Sequence, residues 1–87
     1  MSEHGVLAIV EVLDRDGQVR QSQRVRAWPL RIGRALDNDL SLADPHVAPH
    51  HCVIDADGSG LALQALQTAN GVQLGSRRIR DGERTPL

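Results

Sequence analysis

The chain has almost no aromatic residues and almost no cysteine. Trp28 is the single aromatic residue among 87, so a folded core has to be built from aliphatic side chains. Cys52 is the single cysteine, which excludes a disulfide within the chain and indicates a reducing compartment, the cytoplasm. The lack of stacking aromatic side chains also argues against binding of single-stranded nucleic acid.

The chain also lacks a strong charge of either sign and a long apolar run. Its formal net charge of -1 gives no general attraction to nucleic acid or to an anionic membrane surface. The first apolar run, 5–13, is interrupted by Glu11 and is too short for a signal peptide or a membrane span. All ten basic residues are arginine, whose planar guanidinium can hold an oxyanion through two hydrogen bonds.

What the chain has instead is a series of short alternating apolar segments separated by turn residues. No window of about a dozen residues keeps a helical period. The pattern predicts strands at 5–13, 19–28, 30–32, 39–42, 51–54, 61–66, 72–74 and 77–79. Turn residues stand at 14–17, 57–60, 75–76 and 81–82. Many short strands at such spacing predict an all-β sandwich of two antiparallel sheets.

The length of the chain predicts one domain, residues 1–87, which we interpret as a fragment of a longer protein. An apolar strand should follow the turn at Asp81-Gly82, but the sequence ends at Leu87. We therefore expect the sandwich to lack its last strand or strands. The open sheet edge should then pair with a second copy of the chain.

Four short motifs follow one another in predicted loops. They are Gly33-Arg34, Asn38-Asp39, the segment VAPHH at 47–51, and Asn70-Gly71. Each is common alone, but their order and spacing resemble the forkhead-associated (FHA) domain. That family's pattern runs Gly-Arg, Asn-Asp, Val-Ser-Arg-x-His and then Asn-Gly before a hairpin. The resemblance covers residues 30–79 and implies an eleven-stranded β-sandwich that binds phosphothreonine peptides through loops at one end.

The resemblance also implies roles for single residues. Arg34 takes the place of the arginine that contacts the phosphate, and a guanidinium suits a phosphate dianion. Asn70 takes the place of the residue that bonds the peptide backbone, for which an amide offers both donor and acceptor. Thr68, in the same loop, is a further candidate for contact with the ligand. Loop-shaping roles fall to Gly33, Asn38, Asp39, His51 and Gly71.

The chain departs from the family's pattern at Ala48-Pro49, where the family has Ser-Arg. Alanine has no hydroxyl to donate to a phosphate, and proline has no backbone N–H. Loss of one charge-assisted hydrogen bond, about 1.5–3 kcal/mol, weakens binding roughly 10- to 100-fold. His50, if protonated, and Arg77, with Arg78 beside it, are the candidates for supplying another donor.

Two functions therefore remain open. The first is a phosphothreonine-dependent protein-interaction module of signalling. The second is a degenerate FHA domain that binds an unphosphorylated partner or a second copy of itself. We expect no enzyme, because His51 and Cys52 are neighbours on a strand and point to opposite faces. We also expect no metal and no cofactor, because the spacing of His46, His50, His51 and Cys52 matches no standard zinc pattern.

Overall fold

A computed structural model describes residues 5–87, which form nine strands and no helix. The strands are β1 Ala8–Leu13, β2 Val19–Val25, β3 Leu30–Gly33, β4 Leu40–Ser41, β5 Cys52–Asp57, β6 Gly60–Ala65, β7 Val72–Leu74, β8 Arg77–Ile79 and β9 Arg84–Pro86. Over this part of the chain there is no helix long and apolar enough to cross a membrane. The predicted all-β class is confirmed.

Five of the strands form a central sheet in the order β4-β3-β5-β6-β9. β3 and β4 run parallel, and the other neighbours in this sheet are antiparallel. The parallel pair arises because the loop after β3 turns back along the strand, where the Asp39 carboxylate accepts a hydrogen bond from the Arg31 backbone N–H at 2.8 Å. β1 pairs with β2, and β7 with β8, as two separate antiparallel hairpins.

The turn between β1 and β2 forms where the sequence predicts it. The Asp14 carboxylate accepts hydrogen bonds from the backbone N–H groups of Asp16 and Gln18, at 2.9 and 3.0 Å. Gly17 has φ of +82°, a conformation that favours glycine. β2 then ends at Val25, earlier than predicted, because Val25 pairs with Ala8, where its partner strand β1 begins.

β5 is longer than the sequence predicts and continues to Asp57, where a tight turn leads into β6. The Asp57 carboxylate accepts hydrogen bonds from the backbone N–H and the hydroxyl of Ser59, both at 2.8 Å. These bonds, with a weaker contribution from the Arg84 guanidinium, lower the pKa of the Asp57 carboxyl below its ordinary value. The turn is therefore formed with the carboxylate ionised.

The segment after the turn at Asp81-Gly82 forms a short strand, β9, to which the sequence analysis assigned none. β9 pairs with β6 through Leu63↔Thr85 and lies at the edge of the central sheet. Pro86 cannot donate to a further strand, which suits an edge position. Pairing of an open edge with a second copy stays a prediction.

The core is aliphatic, as the lack of aromatic residues requires. Cys52, Leu63, Ala65 and Ile79 are buried together, and Ile32, Ile54, Val72 and Leu74 pack against them. Cys52 therefore faces the core on the same side of β5 as Ile54, as its alternation along the strand predicts.

We expect the Cys52 thiol to be a reporter of unfolding. Burial raises its pKa from 9.0 to about 11. The unfolded thiol deprotonates around pH 9.0, whereas the folded protein keeps the proton, so the free energy of unfolding should fall as pH rises from about 9 towards 11. Ellman's reagent at about pH 8 should modify Cys52 in denaturant but not in the native protein. A native thiol that reacts at the rate of the denatured chain would contradict this.

Candidate functional site

The loops that carry the motifs lie at one end of the central sheet. β3 runs towards this end and stops at Gly33, while β5 starts there with Cys52, which pairs with both Ile32 and Ala65. The loops 34–39, 42–51 and 66–71 therefore begin or end at the same end of the central sheet. The Leu66 N–H donates to the His51 carbonyl at 2.9 Å, which joins the second loop to the third.

The segment 47–49 lies directly against the end of β3. The Arg34 N–H donates to the Ala48 carbonyl at 2.9 Å, and the Ala35 N–H donates to the Pro49 carbonyl at 3.1 Å. Gly33 permits this approach, because a Cβ at that position would collide with the Pro49 carbonyl oxygen and lie 2.9 Å from the Asn38 side chain. The two loops can meet in this way only if residue 33 has no side chain.

Two further motif residues hold these loops in shape. The Asn38 side-chain amide donates to the Ala35 and Pro49 carbonyls, at 2.7 and 2.8 Å. The His51 Nδ1 accepts a hydrogen bond from the Ala48 N–H at 3.0 Å, so its neutral ring carries the proton on Nε2. Ala48 and Pro49 thus serve the loop through backbone atoms, although their side chains differ from the family's pattern.

Arg34 is exposed at the start of the loop that follows β3. Its Nε–H donates to the Val47 carbonyl at 3.0 Å. Among residues 5–87 no carboxylate lies within ion-pair distance of this guanidinium, and its Nη1 and Nη2 groups have no partner. The guanidinium is therefore fixed along one side and open to an anion along the other.

Asn70 lies at the exposed tip of the loop 66–71 and is held through its backbone. Thr68 is buried, and its hydroxyl accepts a hydrogen bond from the Gly71 N–H at 2.6 Å. Gly71 has φ of +73°, and a Cβ there would collide with the Ile79 carbonyl oxygen. Arg78 donates through Nη1 to the Asn70 carbonyl at 2.8 Å. These contacts leave the Asn70 side-chain amide exposed and without a described partner.

Thr68 is only 7% exposed, and its hydroxyl is engaged by the Gly71 N–H. We expect Thr68→Val to leave the Gly71 N–H without its acceptor and to lower stability by about 1–3 kcal/mol. Thr68→Ser keeps a hydroxyl and should retain most of that free energy. Urea unfolding of the two variants measures the difference, and equal loss in both would show that the hydroxyl is not needed.

The structure pairs His50 and Arg77 with carboxylates. The His50 Nε2 lies 3.1 Å from an Asp37 carboxylate oxygen, and both side chains are exposed. The Arg77 guanidinium bonds the Glu83 carboxylate and donates to the Thr85 hydroxyl at 2.9 Å. Arg78 points to the other side of β8 and reaches Asn70. Of these two neighbouring arginines, Arg78 is the one beside Asn70. Because successive side chains of a strand point to opposite faces, the sequence could have indicated that only one of the two lies there.

Sequence reasoning missed Asp81, which lies between two clefts beside the loop 66–71. Its carboxylate is 3.3 Å from the Thr68 N–H. The larger cleft, about 480 Å³, runs between His50, residues 64–67 and Asp81-Gly82. The smaller, about 170 Å³, is lined by residues 68–71, Arg78, Arg80 and Asp81. Nothing in the local pattern singles out Asp81, because its contacts come from a loop far away in the sequence.

Comparison with known proteins places the chain in one family. The family model of the FHA domain matches residues 30–87. The transcriptional regulatory protein EmbR of Mycobacterium tuberculosis, and likewise that of Mycobacterium bovis, is 40% identical over 60 residues. This alignment covers 63% of the chain but only 16% of EmbR.

Solved structures show the same fold. The structure of Mycobacterium tuberculosis EmbR in complex with a low-affinity phosphopeptide has a TM-score of 0.69 and 29% identity, over 86% of this chain and 22% of that one. The FhaA FHA domain, complexed with the intracellular domain of Rv3910, has a TM-score of 0.72 and 24% identity. That match covers 91% of this chain and 80% of the FhaA chain.

Proposed function

The chain belongs to the forkhead-associated family of protein-interaction domains, and we propose that it binds a phosphothreonine-containing segment of a partner protein in signalling. The observation that carries this proposal is the Arg34 guanidinium, which is held by the Val47 carbonyl on one side and open on the other. A phosphate dianion is the ligand that such a planar pair of donors suits best.

The contacts of each residue suggest its role in the proposed binding site. Arg34 binds the phosphate, and the exposed amide of Asn70 bonds the backbone of the bound peptide. Thr68 and Gly71 position Asn70, while Gly33, Asn38 and His51 position Arg34. We assign no phosphate contact to His50 or Arg77, since both already face carboxylates.

We also propose where the domain acts and what class of partner it binds. The domain, residues 1–87, is part of a longer cytoplasmic protein and acts without catalysis, cofactor or metal. Its partner is a protein rather than nucleic acid or a membrane. The buried Cys52 thiol, whose raised pKa keeps it protonated, is not a nucleophile in this proposal.

The test compares two peptides that differ only in phosphorylation of one threonine, titrated into the protein by calorimetry. We expect binding of the phosphorylated peptide alone, with an affinity limited by the missing hydroxyl at Ala48. Ala48→Ser should restore one charge-assisted hydrogen bond and tighten binding about 10-fold. Ala48→Val, which adds bulk without a donor, is the matched control and should give no gain.

A second function is favoured by the Ala48-Pro49 pair, which removes a phosphate donor. In that case the loops bind an unphosphorylated partner or a second copy of the chain. Equal binding of the two peptides, or self-association measured by analytical ultracentrifugation without any phosphopeptide binding, would support it over the first.

A further inference from the structure

The smaller cleft beside Asn70 has a positive charge that the proposed phosphate site does not use. Arg78 and Arg80 line it together with one carboxylate, that of Asp81. Two cations therefore face one anion in a cleft of about 170 Å³. Asn70, the residue that would hold the peptide backbone, also lines this cleft. The cleft therefore lies directly beside the proposed peptide-binding site.

Alternation along β8, continued by the residue that follows the strand, explains why both Arg78 and Arg80 line this cleft. Ile79 is fully buried, so the side chains before and after it point away from the core. Arg78 uses only Nη1, on the Asn70 carbonyl. Arg80 is bonded through its backbone N–H to Glu83, and its guanidinium has no partner in the described part of the chain. Both side chains can therefore donate to a ligand.

The single carboxylate in the cleft does not neutralise these donors. The Asp81 carboxylate is turned to the Thr68 N–H, 3.3 Å away. Among residues 5–87 no ion pair joins Asp81 to either arginine. The Glu83 carboxylate bonds the Arg77 guanidinium and the Arg80 backbone N–H, and neither the Arg78 nor the Arg80 guanidinium is paired with it. The two guanidinium groups are thus available to an incoming anion.

We propose that this cleft binds a second anionic group of the partner, a carboxylate or phosphate on a residue close to the phosphothreonine. The inference rests on the proposed function, because a peptide bonded to the Asn70 amide passes beside the cleft. Arginine pairs favour oxyanions through charge-assisted hydrogen bonds. Arg78 and Arg80 thereby select among phosphothreonine segments by their acidic neighbours.

The experiment uses a phosphothreonine peptide with glutamine at each flanking position, and a scan in which one glutamine at a time becomes glutamate. The scan covers about four residues on either side, roughly 13 Å of extended chain each way. We expect glutamate at one position to raise affinity about 5-fold, and phosphoserine there to raise it at least as much. The gain should shrink at high salt.

Arg80→Gln and Arg78→Gln should abolish that gain, whereas Arg15→Gln, an equal change of charge in the turn between β1 and β2, should keep it. The ratio of the glutamate and glutamine affinities is the readout, so a general weakening by Arg78→Gln does not affect it. A flat scan, or a gain that survives both variants, overturns the inference while phosphate-dependent binding upholds the proposed function. If phosphorylation has no effect on binding, both proposals fall.

Discussion

Replacing Arg34 with alanine is expected to weaken phosphothreonine-peptide binding about 100-fold or more while the fold stays intact. The guanidinium is exposed, and within residues 5–87 its one hydrogen bond is from Nε to the Val47 carbonyl. Its terminal N–H groups can give a phosphate two charge-assisted hydrogen bonds, each of about 1.5–3 kcal/mol. Calorimetric titration of the phosphopeptide measures the loss, and thermal unfolding shows whether the variant is folded.

Arg31→Ala is the matched control for this variant. Arg31 is an exposed arginine of β3, the strand that leads to Arg34, and its described contacts with Asp39 and Val53 involve its backbone. Removal of its charge should change affinity less than about 3-fold, since only long-range attraction is lost. If both variants lose the same amount of affinity, the loss comes from the change in net charge, and Arg34 does not contact the phosphate.

Replacing Gly33 with alanine is expected to destabilise the protein strongly. The added Cβ collides with the Pro49 carbonyl oxygen and crowds the Asn38 amide. The Pro49 oxygen belongs to the backbone, and the Asn38 amide is held by two hydrogen bonds, so the backbone of one loop has to move. We expect a loss of about 3 kcal/mol, and a fall in Tm of more than about 10 °C for a domain of this size.

Gly58→Ala provides the comparison, because a Cβ at Gly58 meets no atom within 4 Å. This variant should unfold within about 0.5 kcal/mol of the parent protein. A Gly33 variant as stable as the Gly58 variant would show that the two loops do not approach as closely as described. Phosphopeptide affinity of any folded Gly33 variant should fall as well, since displacement of the segment 47–49 removes the support of Arg34.

The local features of the sequence predicted most strands and turns, because alternation and turn chemistry act over a few residues. The hairpin across Gly75-Ser76 and the burial of Cys52 follow directly from such rules. β9 was missed because Arg84–Pro86 has almost no apolar pattern, and its pairing with β6 decides its structure. The expected sheets were antiparallel, and the parallel pairing of β4 with β3 was missed. This pairing also depends on a contact made elsewhere in the fold, between the loop residue Asp39 and Arg31.

At the site, the motifs identified the loops but not the partners of each side chain. Arg77 and His50 were candidates for phosphate contact from their positions along the chain, and the structure shows both facing carboxylates. Those carboxylates, Glu83 and Asp37, come from other loops. Thr68 has the residue type of a ligand contact, and the structure shows it buried, with its hydroxyl bonded by the Gly71 N–H. Burial and ion pairing depend on the whole fold, which short motifs do not contain.

The Pro49 carbonyl oxygen accepts hydrogen bonds from both Ala35 and Asn38, so the loops 34–39 and 42–51 are joined to each other. A surface that is preformed in this way requires little reorganisation when a peptide docks, and association then proceeds at about 10⁵–10⁷ M⁻¹s⁻¹. A complex of micromolar affinity formed at about 10⁶ M⁻¹s⁻¹ lasts roughly one second. With such a lifetime, the partner that we propose would be released soon enough for a phosphatase to reach its phosphothreonine, and occupancy of the domain would follow the phosphorylation state of the partner within seconds.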